Sequence, residues 1–179
     1  MKTRLLISAI AMLFAITSTT GCDDRNDLVV AEPQEAYFAV VYVNYAWGYQ
    51  FRGFIINQEG KALTFEKPQN WHQFDESSEL TAQQLLENLS RTTISTVIIP
   101  TEEFKKYSAK VHAVSNADLS KPQAVGADAG STSFYAFRLD QGVYKPVLLK
   151  QTGDVQIQNK NETATEMATW LEHIMLEVY

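Results

Sequence analysis

Residues 37–66, YFAVVYVNYAWGYQFRGFIINQEGKALTFE, decide the fold. In residues 37–46, a run of Val, Tyr and Phe is apolar on both alternating faces, which is typical of a strand that is covered on both sides. Residues 50–56 and 61–66 are two further β-rich runs, and the link 57–60 between them begins with Asn and ends with Gly, as tight turns do. The stretch therefore predicts a meander of three antiparallel strands.

A helix is predicted after this meander, followed by a strand and a second helix. Thr81 and Gln84 have the spacing of a capping box, so the helix begins at Thr81. Its expected buried stripe is Ala82, Leu85, Leu86 and Leu89. A short β-branched strand over residues 93–99 then leads to a second helix capped by Thr101.

The C-terminal part of the chain completes the predicted architecture. Residues 132–139 and 143–150 predict a hairpin, and residues 155–158 predict a further strand. Thr163 and Glu166 predict a second capping box, which starts a C-terminal amphipathic helix. The apolar stripe of that helix is Ala164, Met167, Ala168, Leu171, Ile174, Met175 and Val178. Since strands are grouped before and after helices, we expect an α+β fold in which an antiparallel sheet of hairpins and meanders packs against about three helices.

The N-terminus has the pattern of an export signal. Lys2 and Arg4 are followed by an apolar run over residues 5–16, and then by small residues. That run is too short to cross about 30 Å of hydrocarbon as a helix, so the pattern favours cleavage over a permanent spanning segment. Residues 1–21 are therefore predicted to be a signal peptide.

Cys22 is the only cysteine of the chain, and Gly21 precedes it. Residues 1–24 resemble a bacterial lipoprotein precursor, in which the peptidase cuts before the cysteine and the sulfur carries a diacylglycerol. The resemblance implies lipidation of Cys22, with palmitate-type chains that hold the protein on a bilayer. The family usually has Leu three residues before the cysteine and this chain has Thr19, so ordinary cleavage that leaves a free thiol is the alternative.

Asp23 and Asp24 follow the cysteine directly. An acidic residue at this position resembles the signal that withholds lipoproteins from transfer to the outer membrane. The resemblance therefore implies a place in the bacterial cell envelope, on the periplasmic face, with the inner membrane favoured over the outer membrane.

Composition restricts the partners of the chain. It has 15 basic and 21 acidic residues, a formal net charge of −6, which opposes binding to nucleic acid. A single cysteine allows no internal disulfide, so burial of a core has to stabilise the fold. Residues 22–35 are polar and predict a lipidated tether, and residues 36–179 have the size of a single globular domain.

Aromatic residues are the main candidates for a binding site. Trp47 and Tyr49 belong to one cluster in the sequence, and Trp71, His72 and Phe74 belong to a second. Trp and Tyr combine a large apolar area with a polar group, which suits recognition of a partner or a sugar ring. The alternative is that most of these rings fill the core. Trp71 is expected to be the most exposed, because Pro, Gln and Asn precede it.

Other signals for chemistry are weak. Residues 115–131 predict the longest irregular loop and are the first place to look for a site. His72, His112 and His173 lack the spacing of a metal site, and the sequence predicts neither a metal nor another cofactor. Glu166 and His173 could share a face of the last helix, where solvated charges are the ordinary explanation.

These observations favour a non-enzymatic envelope lipoprotein that binds another envelope protein or a glycan. Two alternatives stay open. One is a periplasmic hydrolase that uses Asp75 or Glu76 together with His72. The other is an inhibitor or immunity-type protein that blocks a partner enzyme by occlusion.

Overall fold

The computed structural model of the protein describes residues 33–179. The predicted signal peptide, the lipidation site and the acidic sorting pair lie outside the described residues, as does most of the predicted tether. The last tether residues belong to the fold: the buried Gln34 donates from Nε2 to the carbonyl of Phe137 at 3.0 Å and accepts from the N–H of Leu139 at 3.1 Å. The folded chain therefore begins before the predicted boundary at residue 36.

The first three strands form the predicted meander. They are β1 (Ala36–Asn44), β2 (Gln50–Asn57) and β3 (Ala62–Glu66), and each pairs antiparallel with the next. The turn between β2 and β3 closes as expected, since the N–H of Gly60 donates to the carbonyl of Asn57 at 3.0 Å. Gly60 has a φ of +73°, the left-handed conformation that the terminal glycine predicts.

The elements after the meander are β4 (Leu80–Thr81), α1 (Ala82–Leu89), β5 (Thr93–Ile94), α2 (Thr101–Ser108), β6 (Gln123–Ala124), β7 (Ser131–Asp140), β8 (Val143–Gly153), β9 (Val155–Gln158) and α3 (Glu162–Val178). The strand order is β5-β3-β2-β1-β7-β8-β9-β6, with β4 paired to β8. Every strand pair in the described residues is antiparallel. This sheet and the helices, including the C-terminal α3, confirm the predicted α+β fold.

Both faces of the sheet are covered, as the apolar alternation in the first strand predicts. Phe38 and Val40 of β1 point to a core that they share with α2 and α3. Ala39 and Val41 of the same strand point to a second core on the opposite face. That second core is closed by α1 and by residues 67–79, which we call the strap. Residues of the central strands are therefore buried on either side of the sheet.

Helix α1 begins as predicted but buries a different stripe. The N–H of Gln84 donates to Oγ1 of Thr81 at 3.2 Å and Oε1 of Gln84 accepts from the N–H of Thr81 at 2.9 Å, which is a complete capping box. Leu85 is fully buried, but Leu86 is 45% exposed and Asn88 is buried in its place. The prediction for Leu86 is wrong because the amide of Asn88 bonds to the backbone of the strap and turns that face inward.

Strand β5 is shorter than predicted, since only Thr93–Ile94 pairs with β3. The N–H of Ser95 donates to the carbonyl of Ala62 at 2.8 Å, and Ala62 is the first residue of β3. The residues after Ser95 therefore extend past the end of β3 and have no strand residue there to pair with. Ile98, one of these residues, is 86% exposed. The prediction of a strand as far as residue 99 is therefore wrong.

The caps of α2 and α3 also differ from the predicted ones. The N-cap of α2 is Pro100, so Thr101 already lies inside the helix. The N-cap of α3 is Asn161, whose Oδ1 accepts from the N–H of Thr163 at 2.9 Å, and Thr163 therefore lies in the first turn. The buried positions of α3 nevertheless follow the predicted stripe at Ala164, Met167, Ala168, Leu171 and Ile174.

Residues 115–131 are less irregular than predicted. Asn116–Asp118 forms a 3₁₀ turn, and β6 pairs with β9. Asn116 ties this segment to β8, because its Oδ1 accepts from the N–H of Leu148 at 2.8 Å and its Nδ2 donates to the carbonyl of Pro146 at 3.0 Å. The segment is therefore bonded to the sheet over part of its length.

Candidate binding site at an aromatic hairpin tip

The connection between β1 and β2, residues 45–49, carries three exposed aromatic side chains and is called the aromatic tip below. Tyr45, Trp47 and Tyr49 are 77%, 76% and 45% exposed. Tyr45 stacks on Tyr49 with the ring centroids 5.5 Å apart, and Tyr49 lies parallel to the buried Phe51 at 6.2 Å. The stack joins the tip to the core. Trp47 makes no aromatic pair within the described residues and is 76% exposed, so most of its ring surface is available to a ligand.

Asn44, the last residue of β1, fixes the backbone of the tip. Its side chain is buried, and its Oδ1 accepts from the N–H of Ala46 at 2.8 Å. Its Nδ2 donates to the carbonyl of Asp128 at 3.1 Å. The chain reverses at Gly48, which has a φ of +89°. Because the buried side-chain amide of Asn44 is hydrogen-bonded to the tip through Oδ1 and to residue 128 through Nδ2, the tip has a defined position relative to residues 128–130.

The end of the predicted loop 115–131 lies beside the tip. The hydroxyl of Tyr42 donates to the carbonyl of Ala129 at 3.0 Å. The carboxylate of Asp154 accepts from the N–H groups of Ala129 and Gly130 at 3.0 and 2.8 Å and orders the loop. A cleft of about 450 Å³ separates the loop from Tyr45. The structure thus brings together two regions that the sequence singles out separately.

Arg52 is a candidate that the sequence analysis missed. It is exposed on β2, and its guanidinium carbon lies 5.1 Å from the ring centroid of Tyr42 and 5.3 Å from that of Tyr179. It borders a cleft of about 410 Å³ that Trp47 and Tyr49 also line. The signal in the sequence is a lone cation in an otherwise mostly apolar strand, a few residues after the aromatic cluster.

Trp71 and Phe74 lie in the strap and pack on the second core. Trp71 is half-buried, with its ring 4.4 Å from Phe65 and 5.9 Å from Phe51 between centroids. Its buried Nε1 has no hydrogen-bond partner in the described chain. Phe74 packs edge-on against Tyr135 at 5.6 Å. The expectation that Trp71 is the most exposed of these rings is therefore wrong, because the strap folds its aromatic side chains down onto the sheet.

His72 bonds to a residue that the sequence analysis did not connect with it. Its Nε2 lies 2.7 Å from Oε2 of Glu87, in helix α1. A hydrogen bond from Gln83 lowers the pKa of Glu87 below its ordinary value, and the hydrogen bond to His72 lowers it further. Since Glu87 lies in α1 and His72 lies in the strap, this hydrogen bond joins the two segments and has a structural role.

The carboxylate of Asp75 makes local hydrogen bonds, whereas Glu76 is held through its backbone. Oδ1 of Asp75 accepts from the N–H and the hydroxyl of Ser77 at 2.8 and 2.7 Å. Glu76 is exposed, and its backbone carbonyl accepts from Asn116 at 2.9 Å. Among the hydrogen bonds of residues 33–179, none joins either carboxylate to His72.

A wider cleft of about 620 Å³ lies between α2 and α3. Glu166 and His173 both line it, so they share a face of α3 as the spacing predicts. Two of its three carboxylates already have partners: Nε1 of Trp170 donates to Glu103 at 3.0 Å, and Nζ of Lys110 donates to Glu166 at 3.1 Å. Within residues 33–179 no group of three or more His, Cys, Asp or Glu side chains could hold a metal ion. This cleft is therefore a weaker candidate than the tip.

Comparison with known proteins leaves the function to be inferred from the site. No family model matches this chain. No curated protein and no solved structure matches it either. In the part of the chain that the structure describes, no helix is both long and apolar enough to cross a membrane.

The chemistry available at the tip is that of recognition. Tyr45 and Trp47 offer flat apolar faces with a hydroxyl or an indole N–H at the edge, and Arg52 offers charged donors beside them. Residues of these three types are enriched among those that contribute most to binding energy. The tip therefore has the composition of a binding surface.

Proposed function

We propose that this protein is a lipid-anchored component of the bacterial cell envelope, and that its α+β domain binds another envelope component without catalysing a reaction. The observation that supports the binding role is the exposure of three aromatic side chains at the tip: Tyr45 and Tyr49 form a stack that rests on the buried Phe51, and Trp47 projects beside it. Exposed aromatic residues that are held in place cost little conformational entropy when they bind. The partner in this proposal is an envelope protein or a glycan.

The proposed location rests on the N-terminal sequence. Acyl chains on Cys22 would hold the mature protein on a bilayer, since each buried CH₂ contributes about 0.8 kcal/mol. Asp23 and Asp24 favour the periplasmic face of the inner membrane. The acidic net charge of −6 makes nucleic acid an unsuitable partner.

Affinity capture from detergent-solubilised membranes tests the binding role. Full-length protein is compared with a Trp47→Ala variant and with Ile98→Ala, a control that truncates an equally exposed apolar side chain outside the tip. We expect the wild type and Ile98→Ala to retain the same envelope component, and Trp47→Ala to lose it. Equal retention by Trp47→Ala would contradict the proposal, and so would turnover of a cell-wall or peptide substrate by the purified wild type.

An inhibitor or immunity-type protein is the second candidate. It is favoured by the way in which Asn44 fixes the exposed tip, since a turn of defined shape can occlude a partner's active site. In that case a captured partner is an enzyme whose rate falls when the wild type is added and recovers with Trp47→Ala. A captured enzyme whose rate does not change would exclude this second candidate.

A further inference from the structure

The aromatic tip continues into a second cleft, of about 550 Å³, which runs past β3 and β5 to the end of α3. Arg52 and Glu66 border this cleft and also the one beside Trp47 and Tyr49. The two clefts are therefore adjacent, because they share these two side chains. Together we call them the trough. Arg91 lies in the part of the trough away from the tip.

The trough carries an excess of positive charge in an acidic protein. Three basic side chains, Arg52, Lys67 and Arg91, line it with one carboxylate, Glu66, whereas the whole chain has 15 basic and 21 acidic residues. Among the salt bridges of the described residues, none includes any of the three basic side chains. Their charge is therefore available to an anion that enters the trough.

Both guanidinium groups are held in place by other residues. Arg52 lies over the rings of Tyr42 and Tyr179, at 5.1 and 5.3 Å from their centroids, where cation–π attraction favours one position. Nη1 of Arg91 donates to the carbonyl of Glu87 at 2.6 Å, which leaves its other N–H groups for a ligand. Guanidinium groups bind carboxylate and phosphate through paired hydrogen bonds, and a fixed position reduces the entropy that is lost.

We propose that the trough binds an acidic glycan, whose sugar rings pack against Trp47 while a carboxylate or phosphate on the sugar is held by Arg52 and Arg91. A sugar ring has apolar C–H faces and hydroxyl edges, which matches an exposed indole beside charged groups and the hydroxyls of Thr64 and Thr93. This inference rests on the proposed function, because it takes the aromatic tip as the recognition surface.

An acidic peptide and a membrane surface fit the trough less well. Strand addition, one of the ways in which an extended peptide binds, needs a long sheet edge, and the edge strand here, β5, has only two residues, Thr93 and Ile94. An anionic bilayer is a broad surface that faces much of the domain at once, so the net charge of −6 of the chain opposes it, whereas a sugar unit contacts only the basic trough.

Titration calorimetry on the purified full-length protein tests the proposal. The probes are oligogalacturonate, with a carboxylate on every ring, a mannose oligosaccharide that carries phosphate, and a neutral chitin oligosaccharide of the same length. We expect one of the acidic probes to bind at least about tenfold more tightly than the neutral one, and its affinity to fall as salt is added. Arg52→Gln and Arg91→Gln should each weaken that binding by about tenfold or more, as expected for loss of a charge-assisted pair.

Lys160→Gln is the matched control, because it removes one positive charge from an exposed residue outside the trough. Thermal unfolding of each variant shows whether it is folded, and Arg91→Gln tests the site independently of the cation–π contacts of Arg52. The inference is overturned if neither acidic probe binds better than the neutral one, or if both arginine variants bind as the wild type does. Tighter binding of polyglutamate or of phosphatidylglycerol vesicles would overturn it as well.

The two proposals fail in different ways. If Trp47→Ala still captures the envelope component but the arginine variants lose the acidic probe, the proposed role of the tip is wrong and the anion site in the trough remains. If capture depends on Trp47 but no acidic probe binds, the inference about the glycan alone is lost.

Discussion

Tyr135 lies in the second core, and its burial should be visible in the pH dependence of stability. Burial raises the pKa of Tyr135 to about 12, against a hydrogen bond with Ser133 that lowers it. Because the pKa in the folded state exceeds the unfolded value of about 10, the neutral side chain of Tyr135 contributes to the free energy of unfolding. This contribution is fully present below pH 10 and is lost as the pH rises through about 12.

We therefore expect the urea midpoint to fall between about pH 10 and pH 12, and Tyr135→Phe to fall less steeply over that interval. Denaturation curves at a series of pH values measure both. If the urea midpoints of the two proteins fall in parallel, the hydroxyl of Tyr135 ionises as an exposed tyrosine does, and the prediction is wrong.

A second prediction at the level of one residue concerns Asn88, which fastens the strap to α1. Its Oδ1 accepts from the N–H of His72 at 2.9 Å, and its Nδ2 donates to the carbonyl of His72 at 2.8 Å. Asn88→Ala removes the side-chain amide and leaves the backbone N–H and carbonyl of His72 without these hydrogen-bond partners. We therefore expect a loss of about 2–4 kcal/mol in the free energy of unfolding. Gln73→Ala, at an exposed position of the strap itself, should change it by less than about 0.5 kcal/mol. Similar urea curves for the two variants would show that the strap is held by other contacts.

At the scale of elements, two glycines in left-handed conformations should differ in their tolerance of a side chain. Gly142, in the turn between β7 and β8, has a φ of +79°, and an added Cβ would meet nothing within 4 Å. Gly142→Ala therefore costs only the free energy of placing an alanine in a left-handed conformation, about 1–2 kcal/mol. At Gly153, with a φ of +105°, a Cβ would lie 2.1 Å from the carbonyl oxygen of Gly130. We expect Gly153→Ala to lower the melting temperature clearly more than Gly142→Ala, and equal shifts would contradict this packing.

The elements that were predictable are those whose signals lie in neighbouring residues. Thr81 and Gln84 form their capping box within one turn, and the stripe of α3 follows helical periodicity. The misassigned features depend on partners far away in the sequence. Asn88 is buried because the strap needs an amide, and β5 stops where β3 begins.

The same distinction explains the candidate site. The sequence shows that Trp47 and Tyr49 are close together, but the cation–π contact of Arg52 with Tyr179 joins positions more than a hundred residues apart. A pattern within one strand contains no information on such a neighbour. The aromatic part of the site could thus be predicted, and its charged part could not.

At the scale of the whole molecule, the proposed lipid anchor can be tested separately from the folded domain. The sequence places Cys22 after a signal-like segment, and acyl chains on its sulfur would supply about 0.8 kcal/mol of membrane affinity for each buried CH₂. A free thiol would supply none. Cys22→Ser should therefore move the protein from the membrane fraction into the soluble fraction, and replacing Asp23 and Asp24 with Ser should move it from the inner to the outer membrane. Density-gradient fractionation with immunoblotting measures both changes, and mass spectrometry of the native protein detects the acyl chains directly. An unmodified Cys22 in the native protein would refute the anchor.

The binding surface proposed here lies on the folded domain and not on the anchor. We therefore expect the Cys22→Ser variant to keep its affinity for the captured component, which affinity capture with this variant measures. Loss of capture by the soluble, folded variant would show that the anchor takes part in binding.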